Sequence, residues 1–199
     1  LIAASMFITE ERKQRIEFSD PYYETTGRAY VLKANLAGGA EPAAAAKARL
    51  ASLDDLNDKR IGVQLGTVYD LYATNRFPNA TIVQFPTFQE VTLAVDTGKV
   101  DAGLSDVDTL SDVMRVNPGL VPFGAPLFSS PVAAGFAKSS SDLRLSFNTF
   151  LSDLRSNGTY ADMVDRWMTR RTTQMPEIPS GATNGALTIG ISAGGFPFA

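Results

Sequence analysis

The sequence predicts an α/β protein of two lobes, one of them discontinuous, joined by two strands that carry the chain out and back. Three observations carry this reading. Short β-branched segments alternate with single helical segments between residues 60 and 123, the order that builds right-handed crossovers and a mainly parallel sheet. A strand-and-helix fragment precedes this block, and two amphipathic helices follow it. Strand-like passages near residues 24–33 and 130–137 lead into the block and out of it. An inserted lobe reached through two crossing strands is a hinge architecture, and closure around a small ligand is its natural use.

Each element has a local cause. Leu1-Ile2-Ala3-Ala4-Ser5 is an apolar run of buried-strand character, and Thr9 reads as the N-cap of a short helix to about Ile16. Residues 34–51 contain Gly38-Gly39-Ala40-Glu41-Pro42 and four alanines from Ala43, which reads as a surface loop with one helical turn. Arg60–Gln64 is a strand, and Gly66-Thr67 turns into a helix over Val68–Arg76. Thr81–Phe85 is the next strand. Thr87 stands three residues before Glu90, a capping box that opens a helix to about Asp96. Val100–Leu104 is a strand, Asp106 or Asp108 caps the helix after it, and Val121-Pro122-Phe123 closes the series.

Beyond the return passage Val132–Ala137, Leu143, Phe147, Phe150, Leu151 and Leu154 recur at helical spacing, and Asn157-Gly158 ends that helix. A further helix from Thr159 carries Tyr160, Met163, Val164, Trp167 and Met168 on one face. Both stripes read as core packing. The division expected is therefore residues 1–26 with 131–170 as the first lobe, discontinuous and partial, and 27–130 as the second. Residues 171–185 form a linker rich in Pro, Ser, Thr and Gly. Residues 186–199 hold the strand-like Ala186–Ile191 followed by Gly194-Gly195-Phe196-Pro197-Phe198.

Composition narrows the chemistry. With 18 Lys and Arg against 21 Asp and Glu in 199 residues, the net charge is −3, which argues against nucleic acid as a partner. There is no Cys and no His. Disulfides, thiol nucleophiles, imidazole bases and metal sites built on these residues are excluded.

Several ordered motifs then carry a resemblance. Ser5-Met6-Phe7-Ile8-Thr9-Glu10-Glu11-Arg12, with Ile16-Glu17-Phe18-Ser19-Asp20-Pro21-Tyr22-Tyr23, resembles a segment of the family 3 extracellular solute-binding proteins, the polar amino-acid receptors of ABC importers. Ser52–Leu56 through Gly62–Thr67, Gly98–Asp106 and Ser156–Tyr160 resemble the same family in the same order. The resemblance covers residues 1 to about 168. It implies a type II periplasmic-binding-protein fold of the Venus-flytrap kind, no cofactor, an ABC-transporter membrane permease as partner, and a periplasmic or extracellular place of work. Leu187–Ala199 resembles the first strand of the same fold. The chain therefore reads as a piece of a tandem pair, with circular permutation as the second choice, acting as a monomer or a tandem-domain chain.

The resemblance also assigns a site for an amino acid or similar zwitterion, ectoine-like compounds included. Arg12 is the match for the carboxylate clamp, through two parallel hydrogen bonds. Gly66, Thr67 and Val68 offer backbone N–H groups to an anion at a helix start. Val68 stands where a second hydroxyl is common. Asp106 is the match for the ammonium partner, and as a sequence feature it is equally an N-cap. Ser5 lends its backbone carbonyl, and Phe7 offers an aromatic face to an apolar body or a cation. Phe198 or Phe196 would supply a second aromatic wall, and Tyr22, Tyr23 and Tyr69 could line the cleft. Two other uses of such a chain stay open at this point: a ligand-sensing module of a membrane receptor kinase, and a dehydratase or lyase on the same scaffold. For the last, Glu10, Glu11 and Asp106 are the carboxyl candidates.

Overall fold

The computed structural model describes residues 1–37, 49–172 and 174. Residues 38–48 of the loop expected over 34–51, most of the linker, and the C-terminal strand with Phe196 and Phe198 lie outside the described residues. The chain divides into two compact units, one made of Leu1–Glu24 with the chain from Pro131 onward, the other of Thr25–Ser130.

The first unit begins with β1 (Ile2–Phe7), the single-turn helix α1 (Glu10–Lys13) and β2 (Ile16–Phe18). Thr9 caps α1 as expected, its Oγ accepting the Arg12 N–H at 3.2 Å. The helix is shorter than the sequence predicted because the Gln14 and Arg15 N–H groups bond three residues back and tighten the end. β3 (Tyr23–Leu32) and β7 (Leu120–Ala137) each pass from one unit into the other. In the first unit, β1 and β2 both pair antiparallel with β7, through Met6↔Ala133 and Glu17↔Phe136 among others. α5 (Ser141–Ser156) and α6 (Thr159–Val164) follow. The chain then runs into a π turn over Asp165–Thr169, in which the Arg170 N–H reaches the Asp165 carbonyl five residues back at 2.8 Å.

The second unit holds β4 (Arg60–Gln64), α2 (Val68–Arg76), β5 (Thr81–Phe85), α3 (Phe88–Asp96), β6 (Ala102–Asp106) and α4 (Val107–Val116). β4 pairs parallel with β5 and with β6, and β6 pairs antiparallel with β3. The sheet is thus mixed; the expected parallel arrangement holds for β4, β5 and β6. Its core gathers Tyr30, Val91, Ala94, Val95, Val100, Leu110 and Leu120, all nearly inaccessible. Leu32, Val83, Phe85 and Phe88 pack against them from the sheet and α3.

Three expectations need correction. β6 starts two residues later than the sequence predicted. The Val100 N–H is taken by the Ala94 carbonyl at the end of α3, and the Asp101 carboxylate clamps the Arg60 guanidinium at 2.8 Å. The passages 121–123 and 130–137 are one strand, β7. It runs through Pro122, Pro126 and Pro131, which read locally as breaks. Gly124 allows the bend with φ +68°, and a Cβ there would lie 2.4 Å from Leu53 Cγ. Of the α5 stripe, Leu151 alone is buried, while Phe147 meets the Phe136 ring edge-on at 5.7 Å. Leu143 and Phe150 are exposed. A stripe at positions 143, 147, 150, 151 and 154 spans a wide arc, and only part of such an arc meets a neighbour.

Candidate functional site

The structure places the sequence-predicted residues in two sets, one in each unit. In the first unit, Arg12 sits on α1 with its guanidinium half-buried, and its Nη1 donates to the Phe7 carbonyl at 3.1 Å. Burial lowers its pKa and the Glu11 charge opposes this; an arginine stays protonated throughout the physiological range. The Phe7 contact fixes one arm of the fork beside the end of β1. Ser5 carries a left-handed backbone, φ +48°, at a register shift in the β1–β7 ladder. For a residue other than glycine that conformation costs about 1–3 kcal/mol and re-aims the local chain. The Tyr22 hydroxyl lies against Ser5. Burial raises its pKa, and the Ser5 backbone N–H and hydroxyl pull it back. Tyr160 donates to the Tyr22 carbonyl. Tyr23 is half-buried at the start of β3.

In the second unit, Asp106 ends β6 and caps α4, as its sequence position allowed. One oxygen accepts the Thr109 N–H at 2.7 Å and the other the Thr109 hydroxyl at 3.0 Å. Burial raises the Asp106 pKa; the Thr109 bonds lower it, and the Asp108 charge raises it further. No ion pair among the described residues involves Asp106. Tyr69, on α2, is buried and stacks obliquely on Phe128 at 5.6 Å. Its hydroxyl is raised well above its ordinary pKa by burial, then by the charges of Asp106 and Asp108.

The turn at Gly66-Thr67-Val68 is occupied more fully than the sequence implied. Gly66, with φ +72°, donates its N–H to the Asp70 carboxylate at 3.2 Å. Thr67 caps α2 through Asp70 N–H and gives its own hydroxyl to the Gln64 carbonyl at 2.7 Å. Gln84 on β5 donates to both Asp70 oxygens, at 3.0 and 2.8 Å. The protein thus supplies its own carboxylate to part of the cradle. Sequence reasoning missed Asp70, although Thr67-x-x-Asp70 is itself a capping spacing. It also missed Phe128 and the bond from the Thr25 hydroxyl to Asp108 at 2.8 Å. Elsewhere on the second unit, an open hollow of about 340 Å³ is lined by Arg49, Asp54, Asp55, Asn57, Asp58 and Lys59; none of these is a predicted site residue.

The family model for bacterial extracellular solute-binding proteins, family 3, matches residues 1–170. The chain belongs to that family. It is 25% identical to the putative ABC transporter arginine-binding protein 2 of Escherichia coli, over 83% of its own length and 65% of the relative's. It therefore spans less than two thirds of that curated relative. Among solved structures, an ancestral arginine-binding protein bound to arginine superposes with a TM-score of 0.71 at 30% identity, covering 82% of this chain and 69% of that one. The same TM-score, 0.71, at 28% identity relates it to an ancestral amino acid-binding protein that is a precursor of cyclohexadienyl dehydratase, over 83% and 67% of the two chains.

Proposed function

We propose that this chain is the ligand-binding part of an extracytoplasmic receptor that captures an amino acid or similar small zwitterion, ectoine-like compounds included, for uptake through an ABC-transporter permease. The observation that carries the reading is the provision of opposite charges. A half-buried guanidinium, Arg12, belongs to one unit, and a half-buried carboxylate that makes no ion pair among the described residues, Asp106, belongs to the other. Arg12 takes the ligand carboxylate, assisted by the N–H of Val68 beyond Thr67 and Gly66. Asp106 and the Ser5 carbonyl take the ammonium. Phe7 and Tyr69 supply apolar walls, with Phe198 as a further wall contributed by the C-terminal segment. Residues 1–26 with 131–170 act as one lobe and 27–130 as the other, closing on the ligand as a monomer or as one module of a tandem chain in the periplasm or outside the cell. Names of the related proteins, arginine-binding among them, support the ligand class.

The reading assigns binding and no catalysis. A dehydratase or lyase needs a carboxylic acid that keeps its proton over the ligand, whereas an Asp106 facing an ammonium is held ionised. The test is thermal unfolding of the full chain with each proteinogenic amino acid and with ectoine at millimolar concentration. A ligand at 100 times its dissociation constant adds about 2.7 kcal/mol, a rise of several degrees. No shift with any of them, in a protein that melts cooperatively, overturns the reading.

A further inference from the structure

We propose that Tyr22 is a positioning residue of the first unit: fixed by its backbone to β7 and α6, it holds Ser5 in the left-handed turn that presents the Ser5 carbonyl to the ligand's ammonium. This rests on the receptor reading above and adds to it a residue that acts through Ser5.

The need for such a residue arises in β1. Ile2 to Met6 is a step of four residues on β1, and it answers to a step of two on β7, from Gly135 to Ala133. A bulge leaves its extra residues without ladder partners. Ser5, with φ +48°, lies within this one, and its hydroxyl is buried without a full hydrogen bond. A left-handed backbone at a residue other than glycine persists only where its surroundings hold it. The group facing both the N–H and the hydroxyl of Ser5 is the Tyr22 hydroxyl. A phenol accepts as well as donates, so it suits both.

Tyr22 is itself held at both ends of its backbone. Its N–H donates to the Val132 carbonyl at 2.9 Å, and Val132 is the register partner of Phe7 on β1. β7 therefore runs between Tyr22 and β1, and the phenol crosses it to reach Ser5. The peptides around Tyr22 are bonded from the two helices. Asn148 on α5 accepts the Asp20 N–H at 2.9 Å, and Arg155 near the end of α5 donates to the Pro21 carbonyl at 2.6 Å. Tyr160 on α6 donates to the Tyr22 carbonyl. The Arg155 guanidinium lies over the Tyr160 ring, 5.3 Å from its centroid, so the two donors steady each other. With three successive residues pinned, only the two side-chain torsions of Tyr22 remain to place its hydroxyl. A binding contact already in place spares the ligand the cost of ordering it. Ser5, Tyr22, Val132 and both helices belong to the same compact unit.

The test is a cycle of wild type, Tyr22→Phe, Ser5→Gly and the double variant, made in the full chain. Each is melted alone and with each proteinogenic amino acid and ectoine at millimolar concentration. Compounds that raise the wild-type melting temperature are then titrated by calorimetry. Tyr22→Phe keeps the ring and removes the hydroxyl. With Ser5 present it should lower affinity about tenfold and melting by about 2–4 °C. Glycine takes the left-handed backbone without strain. In the Ser5→Gly background, removal of the hydroxyl should therefore cost less than about threefold in affinity. Equal affinity losses in the two backgrounds would make Tyr22 a packing residue unconnected with Ser5 and overturn the assignment while leaving the receptor reading intact. Wild-type affinity in Tyr22→Phe would overturn it as well. A wild type that responds to none of the compounds refutes the receptor reading and the ligand role of Tyr22 together.

Discussion

Gly103→Ala tests how β6 is held under the site. Gly103 lies directly opposite Tyr30 across the β3–β6 ladder. A Cβ at Gly103 would stand 2.4 Å from Tyr30 Cζ and 2.5 Å from its hydroxyl oxygen, whereas ordinary contact begins at 3.4 Å. The ring would have to retreat by about 1 Å. It has nowhere to go: Tyr30 is fully buried, Phe88 meets it edge-on at 6.1 Å, and Val91 and Val95 close the same core. The backbone cannot yield either, because β6 is paired on both sides, with β3 and with β4. The cost should therefore fall at the upper end of the overpacking range, about 3 kcal/mol. At about 2–4 °C per kcal/mol for a chain of this size, melting should drop by about 6–12 °C. Calorimetric melting of Gly103→Ala, Tyr30→Leu and the double variant measures the clash. The double variant should be more stable than the sum of single losses predicts, by about 1–3 kcal/mol. A Gly103→Ala protein within about 1 kcal/mol of wild type, or additive losses in the cycle, would refute the packing argument.

Two further predictions concern the site. Arg12→Ala should weaken amino-acid binding at least about tenfold. The bond to the Phe7 carbonyl that it gives up is worth about 0.5–1.5 kcal/mol, and the variant should still fold; wild-type affinity in a folded variant would remove Arg12 from the site. For Asp106 the sign runs toward protonation. Burial raises its pKa in the folded, ligand-free chain, so the folded state keeps its proton to higher pH than the unfolded state does. Its contribution to stability is present below the ordinary carboxyl range and is lost as pH rises through the raised value. Asp106→Asn should flatten that part of the melting-temperature profile and bind amino acids at least about tenfold more weakly. Wild-type ligand affinity should itself fall as the pH drops through the raised value. Identical pH profiles for the two ligand-free proteins would show that Asp106 is not the group responsible.

What the sequence disclosed, and what it hid, follows the range of the interactions. Thr9 and Thr87 were legible as caps because a cap joins residues three apart, and both cap as expected; of the two candidates for the α4 cap, Asp106 and Asp108, Asp106 is the one that caps. β4, β5, α2 and α3 matched for the same reason. The start of β6 did not, because Arg60 reaches Asp101 across 41 residues. The continuity of β7 was hidden by its prolines, which read locally as breaks and are tolerated by a strand that bends at Gly124. Arg12 and Asp106 came into view through a family resemblance and not through charge pattern, since an arginine among glutamates and an aspartate before a helix are both common surface features. The Thr25–Asp108 bond spans 83 residues, and no periodicity encodes it. Asp70 was recoverable from spacing alone, but its effect, filling part of the anion cradle, depends on Gln84 from another strand.

The choice of asparagine at position 106 is what allows the two roles of that residue to be separated. As a cap, Asp106 satisfies the Thr109 N–H at the start of α4, and asparagine caps about as well as aspartate. As an ammonium partner it works through its charge, which asparagine lacks. Alanine would remove both and could not distinguish a lost ligand contact from a frayed helix. The positive end of the α4 dipole favours the ionised carboxylate, and burial opposes it. The raised pKa shows that burial prevails in the ligand-free chain. An arriving ammonium reverses the balance, so binding of a cation should release a proton near the raised pKa. Titration in buffers of different ionisation enthalpy reads that proton directly. Its loss in Asp106→Asn, with α4 intact by melting, would tie the charge to the ligand; its persistence would assign the proton to another group.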